Sequence, residues 1–327
     1  MKSLRGLESP QNSLIGRINL RDTNIIILLA TLLPGAIIFF VNMPYLRFIM
    51  MNFFAYAIYT SSWDLLYSYS GQLSLGQALP FGLGAFFTII VTHSFGVPLV
   101  LSAIVGTLAA TVVSGSVGTT TIRLKPGYQG IAILLFSQVL YWISLIAYGE
   151  EGVSVFIANP LGPTIIYLGG LVIFAFAMLG VYLLYNSKYR LKLLAIKGDN
   201  LAADVCGINV PFQKAVVFYI SSFLAAIAGA YYGIFTSHAD FSVFAVPNSF
   251  LPIGMAIVGG IALVGGSIIG SAIISVLINV LPIWYSIAVT YFAYGIVVIL
   301  ILKLRPAGIM GFIHRGAKNE SSKPTES

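Results

Sequence analysis

The sequence predicts an all-α fold, a polytopic membrane helical bundle of about ten spans, and three observations predict it. Hydrophobic residues make up 58% of the 327-residue chain, charged residues only 8%, and the mean hydropathy is +0.95. A soluble fold of this size cannot bury that much apolar surface. Apolar runs long enough to cross hydrocarbon recur along the chain, and the basic residues fall between them. With lipid as solvent each run must satisfy its own backbone hydrogen bonds, which selects helices.

Residues 1–23 are polar and mixed in charge, which predicts a cytoplasmic tail. The apolar run that follows, 24–43, is too long for the core of a cleaved signal and is expected to be a retained first span. Further spans are expected at 48–70, 74–93, 98–121, 128–148, 164–186, 214–236, 249–265, 266–283 and 284–302. The runs between 249 and 283 are short and have glycines between them, a pattern open to a re-entrant pair or a broken helix. The transmembrane domain therefore covers 24–303, with a long polar loop at 187–213 and a second tail at 304–327.

Orientation follows from the positive charges, which collect on the cytoplasmic side of a membrane. Lys2, Arg5, Arg17 and Arg21 precede the first span; Arg123 and Lys125 follow the fourth; Lys188, Arg190, Lys192, Lys197 and Lys214 flank the sixth loop. Lys303, Arg305, Arg315, Lys318 and Lys323 end the chain, and only Arg47 lies opposite. Both termini are thus expected inside, with an even number of spans, in a cell membrane. The net charge of +7 reports this topology and no nucleic-acid partner. The single cysteine, Cys206, excludes an internal disulfide.

No phosphate-binding loop, HExxH, paired-cysteine or GxSxG pattern occurs, so the chain is expected to have no catalysis, cofactor or metal of its own. His238 and Asp240 share one outer loop but are too few for a metal site. Glu150 and Glu151 read as an acidic outer loop, with contact to an external binding protein as the alternative. Asp64 is the only acid well inside an apolar run. It stands two turns before Gly71, about 10 Å from the helix end, within reach of water or loop amides. A structural role is the first reading, and a gate residue or solute contact the second.

Two segments carry small-residue patterns. Residues 71–86 read GQLSLGQALPFGLGAF, with Ser74, Ala78 and Gly82 four apart and Gly76 and Gln77 among them. The spacing predicts a close-packing helix face, and Pro80 predicts a kink or break. A second face runs Ala262, Gly266, Gly270, preceded by Gly259 and Gly260. In the polar loop, Asp199 is placed to cap a short helix and Gly207 to end it in the left-handed conformation.

The segments 70–86, 195–214 (AIKGDNLAADVCGINVPFQK) and 259–273, with Arg305, Pro306, Gly308 and Gly311, resemble in order the motifs of the branched-chain amino acid permeases of ATP-binding-cassette importers. The resemblance implies a prokaryotic permease subunit that forms the translocation path for branched-chain amino acids or related small polar solutes. It also implies two cytoplasmic ATPase subunits, a second homologous permease, an extracytoplasmic solute-binding protein and the membrane lipid as partners. Asp64, Ser74, Gly76, Gln77, Ala78, Gly82, Gly259, Gly260, Gly266 and Gly270 fall to the path or its helix packing. Lys197, Asp199, Ala202, Ala203 and Gly207 fall to the ATPase coupling segment, since Ala202, Ala203 and Gly207 resemble the core of the importers' docking loops. Here Gln77 replaces the family's usual His, Asp64 its frequent Asn and Ser267 its frequent Pro. Residues 149–163 lack its outer glycine signature, so the resemblance implies a transporter class without fixing the solute. A self-sufficient secondary transporter or channel is the alternative reading.

Overall fold

A computed structural model describes residue 35 and residues 43–155, 162–304 and 307–311. The expected first span and nearly all of both expected tails, including Arg305 and Pro306, lie outside the described residues. Eleven α-helices follow in order among those described: α1 (Pro44–Ser70), α2 (Ala78–Phe95), α3 (Leu99–Thr121), α4 (Pro126–Tyr148), α5 (Pro163–Asn186), α6 (Tyr189–Gly198), α7 (Asn200–Val205), α8 (Val210–Thr236), α9 (Val246–Gly259), α10 (Val264–Val280) and α11 (Ile287–Leu304). A two-residue ladder, Val153–Ser154 against His238–Ala239, ties the loop after α4 to the end of α8.

Seven helices among the described residues are long and apolar enough to cross a membrane, so the chain is a multi-pass membrane protein, and the described residues carry seven such helices where about ten spans are expected from the sequence. Each missing run has its own reason. The first lies outside the described residues. The second, α1, has 27 residues but carries Asn52, Thr60, Ser61, Ser62, Asp64, Ser68 and Ser70, all buried, which dilutes its hydropathy. Beyond its exposed first turn this helix is enclosed by protein and packs against α5, α6, α8, α9 and α10, so most of its length has no need of a lipid-compatible surface. The third, α9, has only 14 residues, about 21 Å of rise against roughly 30 Å of hydrocarbon. It is too short to cross the hydrocarbon alone.

The helix ends follow from local chemistry. Proline stands in the first turn of α1, α4, α5, α8 and α9, where its missing N–H costs no hydrogen bond. Gly71 ends α1 with φ at 67° and donates its N–H to Tyr67 O. Pro80 does not kink α2: the helix begins only at Ala78, so the proline sits in its first turn and the break precedes it. Ser74 consequently lies off the helix and shares no continuous face with Ala78 and Gly82. Ala262 likewise precedes α10, so that small-residue face begins at Gly266.

Helices α2, α3 and α8 pack closely on one another, α8 joins them to α1, and α9 and α10 form an antiparallel hairpin that rests on α1. The residues 241–244 form a 3-10 turn that dips back into the bundle, burying Phe244 between α2 and α4. Cys206 is exposed and belongs to the 187–213 loop that carries Lys188, Arg190, Lys192 and Lys197. In intact cells it is expected to react with a permeant thiol reagent and to resist an impermeant one. Reaction with the impermeant reagent would reverse the orientation read from the charges.

Candidate functional site

The α9–α10 hairpin is packed backbone to backbone. A Cβ built on Gly259 would overlap the carbonyl oxygen of Gly266, one on Gly266 would overlap that of Gly260, and one on Gly270 would overlap that of Met255. Glycine alone permits this approach. Gly260 has φ at 116° and faces Ala307 and Met310 of the segment after α11. Four of the glycines expected from the sequence thus lie at a single contact between two helices.

Residues 71–77 are irregular backbone inside the bundle, and their side chains and carbonyls enter a network of buried hydrogen bonds. Trp63 Nε1 donates to Ser74 O at 2.8 Å, Gln72 Nε2 donates to Lys214 O at 3.1 Å, and Gln129 Nε2 donates to Gln72 Oε1 at 2.9 Å. Gln77 Nε2 donates to the hydroxyls of Ser62, 2.9 Å, and Ser221, 3.0 Å, while Ser221 Oγ donates to Ser62 O at 2.8 Å. These groups are almost wholly buried, so each bond removes a desolvation cost of about 1 to 3 kcal/mol. Gly76 admits the backbone of Ile133 and Leu134, Ala78 is fully buried, and Gly82 admits the ring of Phe244.

The sequence pattern missed two glycines of equal weight. A Cβ on Gly84 would overlap Ala226 O, and one on Gly229 would overlap Phe81 O, so α2 and α8 cross with their backbones in contact. Gly229 continues a small-residue run, Ala225, Ala226, Ala228, that could have signalled it. Gly84 meets backbone whereas Gly82 meets a side chain, and backbone has less room to yield. Gly84→Ala is therefore expected to lower the melting temperature of the purified protein by more than Gly82→Ala, with a difference of about 1 to 2 kcal/mol. Equal shifts would contradict the ranking.

At the basic end of the bundle, Asp64 is buried and accepts three hydrogen bonds. Ser68 Oγ donates to Oδ1 at 2.6 Å, Tyr185 OH to Oδ2 at 2.6 Å, and the Ala262 N–H to Oδ1 at 2.9 Å. Lys197 of α6 lies against the end of α1, donating to Ser68 O at 3.1 Å and standing over the Tyr67 ring at 5.2 Å. Leu193 and Ile196 bury the inner face of α6. Asp199 caps α7 by accepting from Leu201 N at 2.8 Å and Ala202 N at 3.3 Å, and Gly207 closes it with φ at 80°. Ala203 is buried, but Leu201 and Val205 are 79% and 90% exposed. The outward face of this short helix is thus Leu201, Ala202 and Val205, and Ala203 faces the protein.

The structure brings Asp64 and Lys197 together around Ser68, and leaves Gln77 between α1 and α8 and Gly82 against Phe244. A groove of about 660 Å³ runs between α3, α5 and α8, but among the described residues its wall is aliphatic and aromatic, with hydroxyls only from Thr107 and Tyr231. A zwitterion would lose its hydration there without replacement, so this groove suits lipid chains and no polar solute. Among the described residues no group of three His, Cys, Asp or Glu side chains converges as a metal site would require.

Comparison with known proteins bears on this arrangement. Residues 45–302, from the start of α1 almost to the end of α11, match the family described as branched-chain amino acid transport system / permease component. The chain is also similar to the inner membrane ABC transporter permease protein YjfF of Escherichia coli (strain K12), 27% identical over 97 residues. That similarity covers 30% of this chain and 29% of the relative's length. With a glycine-packed bundle of apolar helices, the α9–α10 hairpin and a family match over most of its length, the chain belongs to the branched-chain amino acid transport system permease family.

Proposed function

We propose that the chain is the membrane permease subunit of a prokaryotic ATP-driven importer and carries branched-chain amino acids or related small polar solutes. The observation that carries the reading is the cytoplasmic helix pair: α7 is capped at both ends, held on α6, and presents Leu201 and Val205 to the aqueous side. Exposed apolar side chains four residues apart on a rigid helix are suited to a protein groove. A subunit with no nucleotide-binding motif needs such a contact to receive work. In this reading the chain is not an enzyme. Two ATPase subunits bind at α6 and α7, a solute-binding protein delivers at the opposite face, and a second permease completes the path.

The packed α2–α8 and α9–α10 contacts favour a path shared with a second subunit over one through this chain alone. The 24–303 domain is the membrane body, and the 187–213 loop is its coupling element. Purified chain alone in liposomes is expected to pass labelled leucine no faster than empty vesicles. Saturable flux through the chain alone would favour the secondary transporter or channel.

A further inference from the structure

We propose that Asp64 is a positioning residue that ties the turn between α9 and α10 to the cytoplasmic helix pair, so that movement of α6 and α7 reaches the hairpin. The inference rests on the coupling role proposed above and adds its route. It begins with an oddity of backbone. Only Ser237 and Ala262 among the described non-glycine residues have positive φ, Ala262 at 69°. An L-residue held there pays a steric cost that glycine would avoid, so something must favour that conformation.

Asp64 supplies it. Its carboxylate accepts the Ala262 N–H at 2.9 Å, a bond made across 198 positions of sequence. A buried N–H left without an acceptor incurs its full desolvation penalty, so this bond is costly to break. The other two donors fix where the carboxylate points: Ser68 lies one turn along α1, and Tyr185 lies at the end of α5, the helix that runs into α6. Ser68 is also the residue whose carbonyl receives Lys197, one position from the end of α6 and three before α7 begins. The chain of contacts is therefore Lys197, Ser68, Asp64, Ala262. At 1% exposure, and with both oxygens already accepting from protein, Asp64 is not presented to a solute. A strained turn held by one distant side chain has two natural arrangements, clamp made and clamp broken, which is what a coupling device needs.

The test uses the full chain with Cys206→Ser and a reporter Ile261→Cys, position 261 being exposed beside the turn. Thiol labelling of the purified permease, without partners, reads the turn directly. Asp64→Leu is expected to speed labelling about tenfold, and Asp64→Asn, which keeps an acceptor for Ala262, to stay within about twofold. Adding Ala262→Gly to Asp64→Leu should recover much of the difference, because glycine needs no clamp. Lys197→Met should speed labelling about threefold. In the assembled transporter, Asp64→Leu should cut solute moved per ATP about fivefold while Asp64→Asn preserves the ratio.

Equal labelling of wild type and Asp64→Leu would overturn the clamp whatever the assembled transporter does. Faster labelling with an unchanged solute-to-ATP ratio would overturn the route to the cytoplasmic helices. If Asp64→Leu fails to insert, Lys197→Met and Ala262→Gly decide alone: a faster and a slower turn, respectively, support the proposal, and no change in either sinks it. A wild-type assembly that moves no solute counts against the coupling reading of the previous section, and the labelling result still decides the clamp.

Discussion

Gly270→Leu is expected to reduce solute uptake to below about a tenth of wild type while the chain still inserts in the membrane. Gly270 admits Met255 O where a Cβ would be, and the next atom, Gly259 N, would lie at 2.8 Å. Neither is a side chain that can turn away. Leucine adds three further carbons to an already impossible contact, so α9 and α10 must part or slide, at a cost of about 3 kcal/mol or more. Span-forming hydropathy is unaffected, because leucine is at least as apolar as glycine, so insertion should survive. Uptake and membrane abundance measured together check this. Normal uptake at normal abundance would mean that the hairpin is not packed as described.

Paired substitution of Leu201→Asp and Val205→Asp is expected to release the ATPase and abolish uptake with little change in thermal stability. Both side chains stand almost fully in water on a helix of 6 residues, so they contribute little to the fold of this chain. If they fill a groove on a partner, desolvated charge in their place should weaken binding by at least about a hundredfold, roughly 3 kcal/mol. Ala203→Arg makes the opposite comparison. Ala203 is 2% exposed, and its carbonyl accepts from Ile208 N at 3.1 Å, so arginine there should disturb the fold of the loop before any docking is tested. Co-purification of the ATPase with the double variant at wild-type yield would remove the coupling assignment.

How far the sequence could be read depended on how local each cause is. Asp199 and Gly207 act on backbone within three residues, and their capping geometry is legible from residue type alone. The paired glycines at 259, 260, 266 and 270 announce close approach, though not the partner. Gly84 and Gly229 were not legible as a pair because their contact joins two helices that the sequence separates by 145 positions. Helix α1 reads as an ordinary span in the sequence because periodicity does not say which helix is surrounded by protein. The small-residue spacing also extended through Ser74 and Ala262, where the backbone is not helical. Nor does the sequence show that the loop amide within reach of Asp64 belongs to Ala262. That pairing exists only once α9 and α10 have folded onto α1.

The central claim, an ATP-driven permease worked through α6 and α7, is tested most directly by isolating the tagged full chain from its native membranes in mild detergent. ATP hydrolysis and ATP-dependent amino-acid uptake are then measured after reconstitution. The account predicts that a nucleotide-hydrolysing polypeptide co-purifies, that uptake requires ATP, and that the Leu201 and Val205 double variant loses both. Isolation of the chain without any such polypeptide, together with uptake driven by an ion or solute gradient alone, would contradict it.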